Sequence, residues 1–360
     1  MLRVVIIGCG KIADGHVEQT RATGLADVVA VCDREPLMAE QLGVRMGVAA
    51  CYSDFDVMLR EQRPDVVHVA TPPSSHLQIA RTALAFGAHV FMEKPFTLDQ
   101  VETRAVLECA ARFRRRVSVN YLYNFESAAL EARRMLDEGE LGQIVHLETS
   151  YGYNLDGDYG VAVLRDSAHW VHRLPGRLFH NVLDHVLSKV APFVGDDFTV
   201  STVALRRRPP VGDPIVDVLD DELRFTIRSG CVTASGIISA HGRPLSHTLL
   251  MVGTRDTVEL DVNARTVVRA AQQRYPSALG RILPAYTQAR RYLHCVRRNL
   301  SEFRRGEFHY FHGMRTLLSR FYDAIAKDGP DPIPMTEIVR VSAMIDGIVR
   351  SMAVRAEANP

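Results

Sequence analysis

The 360-residue sequence lacks long apolar runs and any strong charge imbalance. Apolar runs such as Val4–Ile7 fall far short of the ~18 residues that a membrane-spanning helix needs. With 43 basic and 42 acidic residues the formal charge is +1, so no global field recruits nucleic acid. Met1 leads almost at once into a strand-like run, which leaves no room for the apolar core of a secretory signal. We therefore expect a cytoplasmic protein.

Cysteine and lysine are both scarce. The six cysteines are scattered, with no C-x-x-C pair and no histidine spacing that would complete a tetrahedral metal site. We predict that they are reduced packing residues and that the chain holds no metal. Only four of the 43 basic residues are lysines, namely Lys11, Lys94, Lys189 and Lys327. A genome with a strong arginine bias explains this ratio without functional pressure.

The first residues predict a strand, a glycine turn and a helix, in that order. Arg3–Ile7 is a β-branched run, and a helical pattern continues to about Ala22. Between them Gly8 allows a tight bend, and Gly10 lets backbone amides approach a pyrophosphate. The helix N-terminus that follows favours an anion. We predict a cofactor-binding turn formed by Gly8, Gly10, Lys11, Ile12 and Ala13.

An acidic residue follows the next predicted strand. Val28–Cys32 is wholly apolar, as in a parallel sheet covered on both faces, and Asp33 comes directly after it. An acid at this place binds a ribose 2′-hydroxyl and repels a 2′-phosphate, which favours NAD over NADP. The Arg34 guanidinium could instead accept that phosphate, so NADP stays open as the less favoured cofactor. A glycine turn without a nucleotide is the structural alternative.

Strands and helices continue to alternate up to about residue 120. The predicted strands are Val66–Ala70, His89–Met92 and Val117–Val119, and the predicted helices are Ser75–Phe86 and Leu98–Arg112. Repeated βα units predict a doubly wound parallel sheet, in which ligands lie beyond the carboxyl ends of the strands. Two loops fall at that edge. We predict that they contribute cofactor contacts from Thr71, Pro72, His76, Glu93 and Lys94.

The pattern changes after Val119. A helix at about Ser127–Glu138 is followed by strands without intervening helices, which predicts an antiparallel or mixed sheet. The predicted strands are Ile144–Tyr153, Thr199–Arg206, Glu222–Arg228, Val232–Ser239, His247–Val252 and Thr257–Val262. The predicted fold class is α/β, with an N-terminal Rossmann domain at residues 1–120. A C-terminal α+β domain with a large antiparallel or mixed sheet follows at residues 121–360.

Several motifs together resemble one family. They are the glycine turn, Asp33, the Thr71-Pro72-Pro73 loop, Glu138–Gly142, the Val252-Gly253-Thr254 turn and above all Glu93-Lys94-Pro95. This set is similar to the glucose-fructose oxidoreductase / inositol dehydrogenase (Gfo/Idh/MocA) family. The resemblance implies that Lys94 lies at the nicotinamide and contacts the reacting hydroxyl, with a solvated loop lysine as the alternative. It also implies a homodimer or homotetramer that forms through the open face of the second sheet.

The resemblance assigns chemistry to one helical segment of the second domain. After a glycine-rich stretch the family has an Asp and, four residues later, a His; in register these positions are Asn181 and His185. Residues four apart share one face of a helix. The resemblance makes His185 the proton acceptor, while Asn181 orients the substrate and cannot share a proton as an acid would. A shift of one residue presents His180 and Asp184 instead, and a histidine without a chemical role is the third possibility.

Substrate contacts are expected around these residues and after the last strand of the first domain. Aromatic faces with amide partners suit a polyhydroxylated ring. The predicted substrate-binding set is Lys94, Tyr121, Tyr123, Asn124, Trp170, Arg173, Asn181 and His185. Arg173 could also read a phosphate or carboxylate, which would favour a sugar nucleotide or a sugar acid. Ordinary packing between domains is the alternative for these residues.

Residues 265–305 form an Arg-rich segment that is expected to be helical, with ten arginines and one glutamate. Apolar residues from Tyr286 to Phe303 recur at intervals of three and four, and arginine pairs recur at seven, which predicts an amphipathic helix with an arginine flank. The helix could dock on its own domain or on a second subunit. Contact with an anionic membrane surface or with an acidic partner stays open.

These features favour an NAD-dependent oxidoreductase that transfers a hydride to or from a hydroxyl or keto carbon of a sugar or sugar derivative. Its expected partner is a small carbohydrate, not nucleic acid. Two alternatives stay open. One is a non-catalytic NAD-binding sensor or scaffold of the same fold, and the other is a carbohydrate lyase or glycosidase that recycles its NAD.

Overall fold

The computed structural model describes residues 1–270 and 278–358 and divides into two compact units. The first unit combines Met1–Leu122 with Phe311–Asp346, and the second combines Tyr123–Tyr310 with Gly347–Pro360. The sequence predicted a single boundary near residue 120, with all later residues in the second domain. The structure instead groups the later segment 311–346 with the first unit. Residues 271–277 of the Arg-rich segment lie outside the described residues.

The first unit contains a six-stranded parallel sheet with the order β3-β2-β1-β4-β5-β6. The strands are β1 Leu2–Ile7, β2 Ala26–Cys32, β3 Ala50–Tyr52, β4 Val66–Val69, β5 His89–Met92 and β6 Val117–Val119. This is the strand order of a Rossmann fold, in which strands are added on one side of β1 up to β3 and on its other side from β4 onward. The apolar character of β1 and β4 follows from this position, because every residue from Val4 to Ile7 and from Val66 to Val69 is buried.

Helices cover this sheet between the strands. They are α1 Ala13–Ala22, α2 Pro36–Met46, α3 Phe55–Gln62, α4 His76–Ala85 and α5 Gln100–Phe113. Local signals explain several of the ends. Asp54 accepts hydrogen bonds from the amides of Asp56 and Val57 as the N-cap of α3. Gly47 ends α2 in a left-handed conformation that glycine adopts without strain.

The second unit contains a seven-stranded mixed sheet. A helix, α6 Ser127–Asp137, precedes the strands β7 Ile144–Gly152, β8 Thr199–Leu205, β9 Glu222–Ser229, β10 Val232–Ser239, β11 His247–Gly253, β12 Thr257–Asp261 and β13 Thr266–Arg269. Their order is β13-β12-β11-β7-β10-β9-β8, and only the pair of β7 and β10 is parallel. The mixed sheet predicted from the alternating patterns is confirmed.

The remaining α-helices among the described residues are α7 Asp158–Arg165, α8 Arg177–Val182, α9 Asp184–Val190, α10 Leu279–Arg304, α11 His312–Lys327 and α12 Met335–Ala358. The expectation of helix throughout residues 265–305 was wrong at its start, because Thr266–Arg269 pairs with β12 as strand β13. Two of the four residues of β13, Val267 and Val268, are buried. Apolar residues at the edge of a sheet gain more from this burial than from a helix exposed to solvent.

The helix α11 explains why the returning segment belongs with the first unit. Its face carries fully buried side chains, among them Leu317, Leu318 and Phe321. The Tyr322 hydroxyl lies 3.1 Å from Thr20 Oγ1 of α1, and Arg315 Nε donates to Gln19 Oε1 at 3.1 Å. Burial of an apolar helix face together with paired polar groups holds this segment on α1.

Three further observations concern residues 1–270 and 278–358. No helix in these ranges combines the length and the apolar composition that a bilayer-spanning segment needs. No group of three or more histidine, cysteine or acidic side chains is arranged there to hold a metal ion. All six cysteines are free thiols.

Candidate active site

The glycine turn of the first unit lies where β1, β2 and β4 end. Gly8 has a φ of +100°, and a Cβ on it would lie 2.5 Å from the carbonyl oxygen of Ala70. No side chain can replace this glycine without moving the backbone that follows β4. A Cβ on Gly10, by contrast, would meet nothing within 4 Å. The backbone of the turn is therefore packed against the Ala70 backbone at Gly8, whereas the space beside Gly10 is free of atoms of the described residues.

Asp33 ties the glycine turn to the end of β2. Its Oδ2 accepts a hydrogen bond from the Cys9 amide at 2.7 Å, and its Oδ1 accepts one from the Glu35 amide at 3.0 Å. Each carboxylate oxygen keeps a second lone pair for a hydroxyl donor. The buried Cys9 thiol has its pKa raised to about 12 by burial and by the charge of Asp33, so it stays neutral. Arg34, the residue after Asp33, is exposed.

The predicted loop after β4 is held to the loop after β5. His76 is buried, and its two ring nitrogens lie 2.8 Å from the Thr71 carbonyl oxygen and 3.0 Å from the Phe96 carbonyl oxygen. Burial lowers the pKa of His76 against the opposing effect of these carbonyls. A neutral ring donates to only one of them at a time. His76 therefore joins the two loops as a structural element, while Pro72 is exposed at the surface.

Glu93 positions the loop that carries Lys94. The Glu93 side chain is buried, and its Oε1 accepts a hydrogen bond from Asn120 Nδ2 at 2.5 Å. Its Oε2 accepts the Lys94 amide at 3.3 Å. Burial alone would raise the pKa of Glu93, but hydrogen bonding to His16 and Asn120 and the charges of His16 and Lys94 lower it below its usual value. An ionised Glu93 thus holds the backbone of the half-buried Lys94.

A chain of buried polar side chains continues from Glu93 into the core of the first unit. His16 Nε2 lies 2.9 Å from Glu93 Oε1, and His16 Nδ1 lies 2.9 Å from His68 Nδ1. His68 Nε2 lies 2.9 Å from the Tyr322 hydroxyl, which in turn contacts Thr20. Burial, followed by the charge of His16, lowers the pKa of His68 far below its usual value.

The chain can be satisfied with His16 charged or neutral, and with both imidazoles neutral one arrangement of protons remains. The Glu93 carboxylate requires a proton on His16 Nε2, so His16 Nδ1 accepts from His68 Nδ1. His68 Nε2 then accepts from the Tyr322 hydroxyl, whose oxygen accepts from Thr20. Each buried group in the chain is paired, which is the condition for burying such groups without a large cost.

In the second unit, Asn181 and His185 lie on one interrupted helix. The helix α8 ends at Val182 and α9 begins at Asp184, but Leu183 between them keeps a helical conformation with φ −61° and ψ −33°. Asn181 is 7% exposed, and its Nδ2 donates to the Tyr159 hydroxyl at 2.8 Å. His185 lies one turn later and is half-buried.

Aromatic rings surround His185. Its ring centroid lies 5.2 Å from that of Tyr123 and 4.7 Å from that of Tyr151. His247 packs on the same two tyrosines at 4.6 Å and 5.1 Å. Burial raises the pKa of both tyrosines, so their hydroxyls stay protonated and can donate hydrogen bonds. The structure thus brings together His185 and Tyr123, two of the predicted substrate-binding residues.

A buried lysine completes this aromatic cluster. Lys189 lies one helical turn after His185 and donates to the His185 carbonyl oxygen and, at 2.9 Å, to His247 Nε2. Its ammonium lies 5.6 Å from the centre of the Tyr123 ring. Burial lowers the pKa of Lys189 to about 7. Burial and the charge of Lys189 lower the pKa of His247 well below its usual value.

The other predicted substrate residues have separate surroundings. Asn124 Nδ2 donates to the Ser188 carbonyl oxygen of α9 at 3.1 Å. Trp170 packs on His169 at 5.5 Å, and His169 packs on Tyr159 at 5.7 Å, so Trp170 connects through these rings to Asn181. Arg173 is exposed and donates to the Ala168 carbonyl oxygen. Tyr121 is buried in the first unit.

Sequence reasoning missed His16, His68 and Tyr322 in the first unit and Tyr151, Lys189 and His247 in the second. Two signals were available. His68 interrupts an otherwise apolar strand, and Lys189 is one of only four lysines. Neither signal names a partner, because Tyr322 is 254 residues from His68 and His247 is 58 residues from Lys189.

Comparison with known proteins agrees with this fold. Residues 2–121 match the model of an oxidoreductase family with an NAD-binding Rossmann fold, Gfo/Idh/MocA. D-glucoside 3-dehydrogenase of Escherichia coli is 31% identical over 144 residues, which are 40% of this chain and 41% of that protein. An inositol dehydrogenase of Lactiplantibacillus plantarum is 26% identical over 42% of this chain and 44% of that protein. The chain thus spans less than half the length of these two curated relatives.

Solved structures resemble the chain over almost its whole length. Levoglucosan dehydrogenase in complex with NADH and levoglucosan has a TM-score of 0.78 and 21% identity, and the match covers 98% of this chain and 97% of that one. An oxidoreductase from Agrobacterium radiobacter in complex with NAD+, L-tartaric acid and magnesium has a TM-score of 0.76 and 15% identity, with coverage of 98% and 96%. At these identities the likeness concerns the fold. The match of residues 2–121, a third of the chain, shows that this first domain resembles the NAD-binding Rossmann fold of the Gfo/Idh/MocA oxidoreductases.

Proposed function

We propose that this chain is an NAD-dependent oxidoreductase that transfers a hydride between its cofactor and a hydroxyl or keto carbon of a sugar or sugar derivative. The observation that carries the proposal is the family match of residues 2–121, which include the Glu93-Lys94-Pro95 loop. Relatives named as glucoside and inositol dehydrogenases support the substrate class. These names describe the substrates of those proteins, so the substrate of this chain requires its own test.

The residues of the glycine turn fit a dinucleotide. The open space beside Gly10 admits a pyrophosphate close to the backbone. The residue before α1 is Ile12, whose apolar side chain does not cap the first amides of the helix, so these amides are suited to an anion. The Asp33 carboxylate can accept a ribose hydroxyl, and its negative charge favours NAD over NADP. We propose that Lys11, Ala13 and the loop from Thr71 to His76 surround the same cofactor.

Two glycine variants separate folding from cofactor binding. Gly10→Ala should leave the melting temperature unchanged, because its Cβ enters open space, but should weaken NAD binding by about tenfold or more, ~1.4 kcal/mol. Gly8→Ala should destabilise the fold by more than about 1–2 kcal/mol, since it combines a positive φ with a backbone clash. Thermal denaturation and calorimetric titration with NAD measure the two effects. Equal NAD affinity of Gly10→Ala and the wild type would contradict a pyrophosphate at this turn.

We propose His185, rather than His180, as the general base. His180 and Asp184 are each only 1% exposed, whereas His185 is half-buried, so its imidazole is more accessible to a substrate. The surrounding rings of Tyr123 and Tyr151 offer flat surfaces and hydroxyl donors to a polyhydroxylated ring. The Asn181 amide, held by Tyr159, has a constant orientation for a hydrogen bond to the sugar.

The proposed chemistry follows from these groups. NAD, when bound, supplies the hydride acceptor for oxidation. His185 takes the proton of the reacting hydroxyl, since a neutral imidazole has a pKa near operating pH. Lys94 donates a hydrogen bond to the oxygen that gains negative charge. Glu93 keeps the Lys94 backbone in place through its own hydrogen bonds to Asn120 and the Lys94 amide.

Net reduction of NAD by a panel of substrates tests this function. We expect an increase in the nicotinamide absorbance band with at least one member of a panel of free sugars, glycosides, inositols, sugar acids and sugar nucleotides. The acids and nucleotides are included because Arg173 is exposed and can bind an anionic group. Turnover of a glycoside without net NAD reduction would instead identify a recycling lyase or glycosidase. NAD binding without turnover of any member would favour a sensor.

A further inference from the structure

The exposed face of the helix α10 is unusually apolar. One row of its exposed positions consists of Ile282, Tyr286, Ala289, Leu293, Val296, Leu300 and Phe303. Phe303 is 70% exposed, Ile282 64% and Leu293 57%. A surface helix normally turns such residues toward its own core. We call this row of seven residues the α10 seam.

The opposite face of α10 is polar and is held to its own unit by specific hydrogen bonds. Cys295 and Glu302 are buried there. Arg291 Nη1 donates to the carbonyl oxygens of Arg269 at 2.7 Å and Ala270 at 3.0 Å.

Two further side chains hold α10 to the same unit. Arg298 donates to Glu131, and Asn299 Nδ2 donates to the Ala264 carbonyl oxygen at 3.0 Å. These directed contacts determine the rotation of the helix about its axis, so the outward position of the α10 seam is a property of the fold.

The spacing of the α10 seam identifies a helix as its partner. From Ile282 to Phe303 the intervals alternate strictly between four and three residues, which is the a/d pattern of a coiled coil over three heptads. A straight helix drifts by about 20° per heptad against this pattern, so the seam would turn away from a flat membrane surface by about 60° over its length. Supercoiling around a second helix removes that drift.

The charges beside the α10 seam select a second copy in parallel orientation. The d positions are Ile282, Ala289, Val296 and Phe303. The residues directly after them are Leu283, Arg290, Arg297 and Arg304, all exposed, while the positions on the other flank are Ala285, Tyr292 and Asn299. Antiparallel helices would place the arginines against each other, which is repulsive. Parallel helices place each arginine against the other flank, where Tyr292 can accept a cation–π contact from the arginine at 297.

We propose that α10 forms a parallel two-stranded coiled coil with α10 of a second copy of this chain, through the α10 seam. This interface is isologous, because the same row of residues is used by both copies. It is independent of the proposed catalytic function. It is also separate from the open face of the second sheet, through which the family resemblance implies association.

Cysteine cross-linking at the d positions tests the pairing. In a Cys231→Ser background, which removes the exposed native thiol, Ala289→Cys and Val296→Cys should each form covalent dimers on mild oxidation. Thr287→Cys, on an exposed flank of the same helix, is the matched control and should form at least tenfold less dimer. Self-pairing at both d positions requires parallel helices in register. Self-pairing at only one of them would mean antiparallel helices and would overturn the proposed orientation.

A second measurement distinguishes the partner. Leu293→Glu should lower the mass found by sedimentation equilibrium, because it buries a charge in the seam, whereas Thr287→Glu should not. Circular dichroism should show equal helix content for the Leu293→Glu and Thr287→Glu proteins, which excludes misfolding as the cause of a lower mass. If no cysteine variant cross-links and the wild type floats with vesicles of phosphatidylcholine and phosphatidylglycerol, the partner is lipid and the proposal fails. Absence of both cross-linking and flotation also overturns it.

Discussion

His185→Ala is expected to lower turnover by about 10²- to 10⁴-fold while NAD affinity stays the same. The reason is that removal of the imidazole leaves the reacting hydroxyl without a proton acceptor, whereas the cofactor turn lies in the first unit and is unaltered. Steady-state kinetics with the best substrate of the panel, together with NAD titration, measures both quantities. His294→Ala, which alters an exposed histidine of α10, is the matched control and should keep wild-type turnover.

The alternative register provides the decisive comparison for this variant. If turnover is unchanged in His185→Ala but falls in His180→Ala, the base is His180 and its partner is Asp184. Asn181→Asp is a second test, because it introduces the acid that the family resemblance implies at this position. The pH dependence of turnover should then show a higher apparent pKa for the general base, since a carboxylate one turn away favours the imidazolium. Unchanged turnover in every histidine variant would exclude this helix as the source of the base.

Lys94→Met should lower kcat by about 10²- to 10³-fold, the range found when one donor to a developing oxyanion is lost. Methionine keeps the length and apolar stem of lysine, so the loop after β5 should stay folded through Glu93 and its partners. Lys94→Arg should not restore activity, because a planar guanidinium does not occupy the position of a compact ammonium. Rapid kinetics of hydride transfer separates this effect from product release.

The control for Lys94 is Lys327→Met. Lys327 is an exposed lysine at the end of α11 that pairs with Asp323 at 2.8 Å. An exposed pair of this kind contributes little to stability. We expect wild-type kinetics for this variant. Equal kcat in Lys94→Met and Lys327→Met would remove Lys94 from the catalytic step and would leave it a role in cofactor binding at most.

Local signals in the sequence were sufficient for most of the first unit. The strands β5 and β6 have the predicted bounds, and α1 ends at Ala22 as predicted. Parallel strands buried on both faces have continuous apolar runs, which are readable without knowledge of their neighbours. The elements α2, β3 and α3 were not predicted. The strand β3 has only three residues, and none of them is fully buried, so it lacks an apolar run.

The candidate site divides along the same line. Gly8, Gly10, Asp33 and Lys94 were predicted as site residues because motif spacing indicates their places at the ends of strands. The chain of His16, His68 and Tyr322 was not found, because its members come together only when α11 returns to the first unit. Lys189 and His247 were missed for the same reason, as they meet between a helix and a strand distant in the sequence.

The helix α10 shows the difference most clearly. Its apolar period was evident in the residue order, because a helix repeats its own faces every three to four residues whatever surrounds it. Which face turns inward was not evident. That choice depends on polar contacts with Arg269, Ala270 and Glu131, and it overrides the usual preference of apolar residues for the interior. Periodicity along a chain is local, whereas the identity of a buried partner depends on where distant segments of the chain return in space.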